Sequence, residues 1–258
     1  MNNNPIGVFD SGFGGLSVWR VLHDRLGNES ILYLGDGKNC PYGERSREEI
    51  CGFADEAVRT LLDNGCKLIV VACNTATAMA IDYLRATYSQ IRFVGLEPAV
   101  KPACLTTRSG VVGVLATARS LEGELFRRTA ARYADKVKIL TAVGEGFVEA
   151  VENDAEDAPE TENAVRRALL PMLEQGADKI VLGCTHYPFL RHVMERITEG
   201  RDVEIIDSGE AVARRTAQLL EMDGLRADEQ HKPVYKFITF GDEEYGQRLE
   251  RKARTGRI

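Results

Sequence analysis

Short, almost uninterrupted apolar runs alternate with longer amphipathic stretches along the chain. Each run is four to six residues long, a length typical of strands buried on both faces. The runs predict strands at residues 5–10, 31–35, 67–72, 92–96, 111–115, 137–141, 179–183 and 203–206. The stretches between them predict helices near residues 15–26, 46–64, 75–87, 119–134, 159–175, 188–197 and 208–221. This alternation indicates an α/β protein with parallel sheets covered on both faces.

Part of the sequence is repeated. IGVFDSG at 6–12 is similar to VGVLATA at 112–118, and NGCKLIVVACNT at 64–75 is similar to QGADKIVLGCTH at 175–186. In the second pair a glycine stands eight residues before a cysteine, Cys73 in one copy and Cys184 in the other. Two matched pairs in the same order favour a duplication over a chance similarity of two α/β units. We therefore predict two similar parallel-sheet, flavodoxin-like domains related by pseudo-two-fold symmetry.

The boundary between the two predicted domains lies in LEPAVKPA at 96–103, where two prolines stand close together. A further strand and helix pattern at 235–250 follows a complete second unit. We expect this last segment to return to the first domain. The predicted first domain is 1–97 plus 208–258, and the predicted second domain is 98–207.

Composition and charge narrow the expected partners and compartment. The 258 residues carry a net charge of −6, so the chain has no basic surplus to neutralise nucleic-acid phosphates or anionic lipids. We expect neither nucleic acid nor membrane as a partner. The N-terminus lacks the layout of a signal peptide, and the expected location is the cytoplasm. The six cysteines are then expected to be reduced thiols.

Two of these thiols occupy positions suited to chemistry. Cys73 and Cys184 each end a predicted strand and precede a predicted helix, and ligands of parallel sheets bind beyond such strand ends. A helix N-terminus also favours a thiolate over a thiol. In two halves related by symmetry, these thiols would face each other across a cleft. Two opposed bases of similar strength suit inversion of a stereocentre, because one removes a proton from one face while the other delivers a proton to the opposite face.

Polar residues flank both thiols. Asp10 ends the first strand, where it is placed to orient or deprotonate a neighbouring thiol, and His186 stands two residues after Cys184. Amide and hydroxyl side chains follow the cysteines directly, where they would be aimed at substrate carboxylates. These residues are Asn74, Thr75 and Thr185.

Four motifs, DSGFGGLSV, GDGKNCPYGERS, ACNTATA and LGCTHYPFL, occur in this order across almost the whole chain. Together they resemble the glutamate racemases of the aspartate/glutamate racemase superfamily. The resemblance implies an active site in the cleft between two α/β domains and cofactor-independent interconversion of L- and D-glutamate. It also implies a homodimeric cytoplasmic enzyme that supplies D-glutamate for peptidoglycan.

The resemblance carries over to particular residues. It implies that Cys73 acts on D-glutamate and Cys184 on L-glutamate. It adds Asp10, His186 and Glu152 to the catalytic set as assisting groups. The substrate contacts that it implies are Ser11, Pro41, Tyr42, Gly43, Asn74, Thr75 and Thr185.

Two departures from the family pattern lie near these motifs. Gly37 stands where a small hydroxyl residue is common, so a local hydrogen bond is expected to be missing. Gly144-Glu145 replaces a Cys-Pro pair upstream of Glu152. Neither departure affects the two thiols.

Other interpretations stay open. The chain would also suit racemisation of another acidic amino acid such as aspartate, or a two-lobed protein that binds a carboxylate without turning it over. A metal site would need about three or four ligands, and Cys184, His186, Cys73 and Asp10 supply them on paper. We expect no metal and no cofactor, because no other cluster has metal-ligand spacing and no lysine is marked as a Schiff base for pyridoxal phosphate.

Overall fold

A computed structural model describes residues 1–255 of the protein. The strands are β1 (Ile6–Asp10), β2 (Ile31–Gly35), β3 (Leu68–Val71), β4 (Phe93–Gly95), β5 (Val111–Ala116), β6 (Lys138–Val143), β7 (Lys179–Gly183), β8 (Glu204–Ile206) and β9 (Tyr235–Thr239). The α-helices are α1 (Leu16–Arg25), α2 (Arg47–Asp63), α3 (Asn74–Thr87), α4 (Val100–Thr106), α5 (Ala118–Glu122), α6 (Glu124–Tyr133), α7 (Phe147–Glu152), α8 (Pro159–Glu174), α9 (Arg191–Thr198), α10 (Gly209–Met222) and α11 (Glu243–Thr255). Single 3-10 turns span Tyr42–Glu44 and Tyr187–Leu190.

The strands form two sheets in which all pairs are parallel. The first sheet has the order β4-β3-β1-β2-β9, and the second has the order β6-β5-β7-β8. Read from its other edge, the second sheet repeats the order of the first four strands, with β5 in the place of β1 and β7 in the place of β3. The prediction of two parallel-sheet α/β units is confirmed.

The shared order places β3 and β7 at equivalent positions. Both strands are buried along their whole length, and Cys73 and Cys184 follow them within two residues. The two similar segments at 64–75 and 175–186 therefore occupy equivalent positions in the two sheets.

The C-terminal segment joins the first sheet. Strand β9 pairs with β2 along five residues, Tyr235 opposite Ile31 through Thr239 opposite Gly35. Helix α11 follows and buries Leu249 and Ala253 in the apolar core. Residues 235–250 thus join the first half, as expected. The domain boundaries at 97 and 207 stay predictions.

Three segments differ from the helices and strands expected from sequence. Helix α4 lies within the region interpreted as a boundary, and its Pro102 is tolerated because it stands in the first helical turn. The helix expected at 119–134 is two helices, because Gly123 has a non-helical ψ of 137°. Helix α7 was not predicted; it begins after Gly146, whose φ of 77° is left-handed.

Within residues 1–255, none of the helices combines the length and the apolar character that crossing a bilayer requires.

Candidate active site

Cys73 caps the N-terminus of α3. Its Sγ accepts a hydrogen bond from the backbone N–H of Ala76 at 3.4 Å and donates one to Oγ of Ser11 at 3.7 Å. Burial raises the pKa of the Cys73 thiol well above its usual value, and the nearby Asp10 carboxylate raises it further. The helix N–H and Ser11 act in the opposite direction. The thiol therefore needs a neighbouring base before it can remove a proton.

Asp10 is a candidate for that base, because its carboxylate acts electrostatically on the Cys73 thiol. It is fully buried at the end of β1, where Oδ2 accepts the backbone N–H groups of Gly12 and Gly15. Its other oxygen accepts a hydrogen bond from the Thr185 hydroxyl at 3.2 Å. Burial raises the pKa of Asp10 to about 6, against the lowering effects of His186 and the backbone N–H groups. A carboxyl with this pKa can exchange a proton near neutral pH.

Cys184 is paired with His186. The Cys184 Sγ lies 3.7 Å from Nδ1 of His186, and both side chains are buried. Although burial by itself lowers the pKa of His186, hydrogen bonds with Cys184, Cys40 and Glu152 raise it well above its usual value. A protonated imidazole beside a thiol favours the thiolate. The second thiol thus has an assisting group of different chemistry from the first.

Glu152 holds the other ring nitrogen of that imidazole. The Glu152 Oε1 atom lies 2.7 Å from His186 Nε2 and also accepts the backbone N–H of Phe13 at 2.7 Å. Its Oε2 atom accepts a hydrogen bond from the Tyr245 hydroxyl at 2.9 Å. Burial raises the pKa of Glu152, but the bonds from His186, Phe13 and Tyr245 outweigh it and lower the pKa overall. The ionised carboxylate therefore keeps His186 oriented toward Cys184.

A small cavity of about 10 Å³ lies between the two cysteines, which is room for about one water molecule. Ten of the twelve predicted site residues line it: Ser11, Pro41, Tyr42, Gly43, Cys73, Asn74, Thr75, Cys184, Thr185 and His186. Asp10 and Glu152 do not line the cavity but form hydrogen bonds with two residues that do, Thr185 and His186. The structure thus brings together all the side chains that the sequence nominated.

Polar groups around the cavity are suited to carboxylates. Asn74 has a buried Nδ2 atom without an acceptor among residues 1–255, and a buried donor of this kind needs a partner. The hydroxyls of Thr75 and Thr117 lie 3.0 Å apart, and Ser120 Oγ lies 2.8 Å from that of Thr117. By contrast, the hydroxyl of Tyr42 is already bonded to a buried carboxylate, Oδ2 of Asp36, at 2.6 Å.

Sequence reasoning missed several residues at the site. Thr117 and Val148 line the cavity although neither belongs to a recognised motif. Tyr245 reaches Glu152 from α11, more than ninety residues away in the chain. Cys40, within the GDGKNCPYGERS motif, has its Sγ within 4.8 Å of a ring nitrogen of His186, and burial raises the pKa of Cys40 to about 12. Of these residues, only Thr117 could have been found from the repeat in the sequence. It lies in VGVLATA, the repeat counterpart of the segment that contains Asp10 and Ser11.

The group of possible metal ligands differs from the one considered on sequence grounds. Among the described residues, Cys40, Glu152 and His186 have donor atoms within 4.8 Å of one another. Cys73 and Asp10 do not belong to this group. The carboxylate and the imidazole already satisfy each other by a hydrogen bond, so their placement is accounted for without a cation.

Comparisons with known proteins agree with this geometry. The family model described as Asp/Glu/Hydantoin racemase matches residues 6–216. A glutamate racemase of Herpetosiphon aurantiacus is 48% identical over 242 residues, which are 94% of each chain. A crystal structure of a glutamate racemase isoform from Bacillus anthracis has a TM-score of 0.88 at 33% identity and covers 100% of this chain and 96% of its own. The glutamate racemase of Francisella tularensis, solved in complex with D-glutamate, has a TM-score of 0.83 at 27% identity and covers 100% of this chain and 96% of its own. The resemblance carried by the four motifs is confirmed.

Proposed function

The chain belongs to the Asp/Glu/Hydantoin racemase family and is an amino-acid racemase, and from this membership we propose that it interconverts L- and D-glutamate by proton transfer between two thiols. The observation that carries the proposal is a cavity lined by both Cys73 and Cys184, which follow equivalent strands of the two sheets. Relatives named glutamate racemase at 44–48% identity support glutamate as the substrate.

In the proposed reaction, each thiol serves one enantiomer. Cys184 removes the α-proton of L-glutamate, and Cys73 delivers a proton to the opposite face to give D-glutamate. The reverse direction exchanges the two roles. Asp10 transfers the proton to and from Cys73, while the His186 imidazolium stabilises the Cys184 thiolate. General acid–base groups with pKa values near working pH are effective in such transfers.

The substrate carboxylates are proposed to bind to the polar groups around the cavity. Asn74 offers its unpaired amide donor and Thr75 offers its hydroxyl, while Thr185 offers its backbone N–H because its hydroxyl already donates to Asp10. Ser11 and the Pro41–Tyr42–Gly43 segment close the other side. Glutamate is much larger than the present cavity, so the two halves must separate before substrate enters. We propose that the two halves then close around the bound glutamate and exclude water during the proton transfers.

The biological setting follows from the same proposal. A cytoplasmic enzyme that makes D-glutamate would supply a precursor for peptidoglycan. We propose that it works as a homodimer without a metal or organic cofactor, since the four groups Cys73, Asp10, Cys184 and His186 account for both proton transfers.

Incubation of the protein with L-glutamate alone provides the direct test. The proposal predicts that optical activity decays to zero and that the final mixture contains equal amounts of both enantiomers. L-aspartate in parallel is the control for specificity, and a faster decay with aspartate would reassign the substrate. Tight binding of glutamate with undiminished rotation would instead identify a carboxylate-binding protein.

A further inference from the structure

Tyr245 contacts the catalytic relay from an element that belongs to none of the recognised motifs. It lies in the first turn of α11, where its backbone N–H is held by Oδ1 of Asp242 at 2.8 Å. Its hydroxyl donates to Oε2 of Glu152 at 2.9 Å, and Glu152 bonds His186 through its other oxygen. The hydroxyl therefore lies two hydrogen bonds away from the imidazole beside Cys184.

The aromatic ring of Tyr245 is held by stacking and leaves no room for a side chain at position 37. It stacks on Phe13, with ring centroids 4.5 Å apart and an interplanar angle of 16°. The ring also occupies the volume that a side chain at position 37 would need, because a Cβ atom on Gly37 would lie 2.5 Å from two of its ring atoms. Gly37 is the position at which the family pattern commonly has a small hydroxyl residue. In this chain, a side chain at position 37 would therefore displace the ring of Tyr245.

Helix α11 also holds the backbone that carries Glu152. Arg248 donates to the carbonyl oxygen of Glu152, and Lys252 donates to that of Val151 at 3.0 Å. Three side chains, one turn apart on a single helix face, therefore bind the C-terminal end of α7. This arrangement restricts Glu152 in both position and orientation.

We propose that Tyr245 is a positioning residue for the reaction: through Glu152 it orients His186 and so sets the reactivity of Cys184, and Gly37 provides the space that this requires. The proposal rests on the racemase function proposed above. It assigns no role to Tyr245 on the Cys73 side, where Asp10 assists the thiol.

The hydroxyl of Tyr245 stabilises the ionised form of Glu152, so its removal raises the pKa of that carboxyl. If activity requires ionised Glu152, the acidic limb of the pH–activity profile of the variant lies at a higher pH than that of the wild type. The charged and titratable groups that face Glu152 are Asp10 of β1, Tyr33 of β2, Cys40, His186, and Tyr245 and Arg248 of α11. Only the Tyr245 contribution changes in the experiment below.

The decisive variant is Tyr245→Phe, which keeps the stacked ring and removes only the hydroxyl. We expect kcat/KM to fall about 10-fold, since a hydrogen bond to a charged group is lost, with KM almost unchanged. The acidic limb of the kcat/KM profile should move up by about 0.5 to 1 pH unit. With α-deuterated L-glutamate, from which Cys184 removes the deuteron, the primary isotope effect of the variant should exceed that of the wild type. With α-deuterated D-glutamate the two isotope effects should be equal.

Two further variants complete the design. Tyr88→Phe is the matched control, because it also removes a hydroxyl bonded to a carboxylate, Oδ1 of Asp55 at 2.7 Å, far from the site; its profile should equal that of the wild type. Gly37→Ala should shift the acidic limb in the same direction as Tyr245→Phe, because the new methyl group displaces the ring. Thermal unfolding of each variant shows that the fold is retained.

The outcomes separate the two proposals. An active wild type with an unchanged pH profile and isotope effect in Tyr245→Phe overturns the positioning role and leaves the racemase function intact. A shift in Gly37→Ala without one in Tyr245→Phe assigns the effect to the ring and overturns the role of the hydroxyl. A wild type that does not racemise glutamate overturns both.

Discussion

The Oε1 atom of Glu152 lies 2.7 Å from Nε2 of His186 and joins the end of α7 to the segment that follows β7. The other ring nitrogen of His186 faces Cys184 at 3.7 Å. One thiol of the pair therefore has a carboxylate–imidazole relay, whereas the other has a single buried carboxyl, Asp10. The two halves share strand order but not the chemistry of their assisting groups. This asymmetry predicts different pH effects for changes on the two sides.

Glu152→Gln should weaken catalysis through the imidazole. The carboxylate raises the pKa of His186, so its loss lowers that pKa and the imidazolium gives up its proton at a lower pH. We expect kcat to fall about 100-fold and the basic limb of the kcat profile to move to lower pH. Glu149→Gln, an exposed change in the same helix, is the control. Equal profiles for the two variants would contradict the relay.

Gly14→Ala should damage the site without unfolding the protein. A Cβ atom there would lie 2.4 Å from His186 Nδ1 and 2.7 Å from the Thr185 hydroxyl, so His186 must move away from Cys184. A displacement of about 1 Å can cost on the order of 100-fold in rate. Gly52→Ala, at an α2 position where the new methyl group would meet no atom within 4 Å apart from the neighbouring helix backbone, should keep full activity. Steady-state kinetics of the two variants test the expectation, which fails if Gly14→Ala is as active as the control.

Asp10 should couple stability to pH. Burial raises its pKa to about 6 in the folded state, above the value near 3.9 of an unfolded chain. The folded protein binds this proton more tightly, so the stabilisation is fully present below about pH 4 and is lost as the pH rises through 6.

Asp10→Asn removes this pH dependence. The difference in free energy of unfolding, variant minus wild type, should rise by about 2.4 kcal/mol between pH 4 and pH 7.5. Racemisation should be lost. Urea unfolding at the two pH values measures the difference. A difference that does not change with pH would contradict the assignment.

Lys67→Met should destabilise the first sheet. Lys67 and Glu29 form an ion pair in which both side chains are almost fully buried, and Glu29 also accepts the backbone N–H of Ala227. Removal of the ammonium leaves a buried carboxylate unpaired, at a loss of about 3–5 kcal/mol in the free energy of unfolding. Arg25→Met breaks an exposed pair with Glu210 and should change stability by less than about 1 kcal/mol. Chemical denaturation compares the two, and equal losses would refute the expectation.

The buried strands were the most predictable part of the fold. Both β2 and β7 have the bounds expected from sequence, 31–35 and 179–183, because a strand buried on both faces must be apolar throughout. The start of α2 also has a local signal in the sequence, the capping box formed by Ser46 and Glu49. Short helices were missed where local signals conflict, as in α4, whose Pro102 indicates a break in sequence and is accepted in the first turn.

The sequence predicted only those site residues that lie in or near recognisable motifs. Cys73 and Cys184 stand at the carboxyl ends of recognisable strands, so parallel topology places each at the ligand-binding edge of its own sheet. Tyr245 and Cys40 could not be found this way, because their contacts with Glu152 and His186 depend on how distant elements pack. No periodicity or spacing in the sequence records that packing.

Exchange of the α-hydrogen in deuterium oxide tests the two-thiol reaction most directly. The wild-type protein, given L-glutamate in this solvent, should form D-glutamate that carries deuterium at the α-carbon. Folded protein with both Cys73→Ser and Cys184→Ser should show neither racemisation nor deuterium incorporation. Racemisation that persists in the double variant would contradict proton transfer by these two thiols.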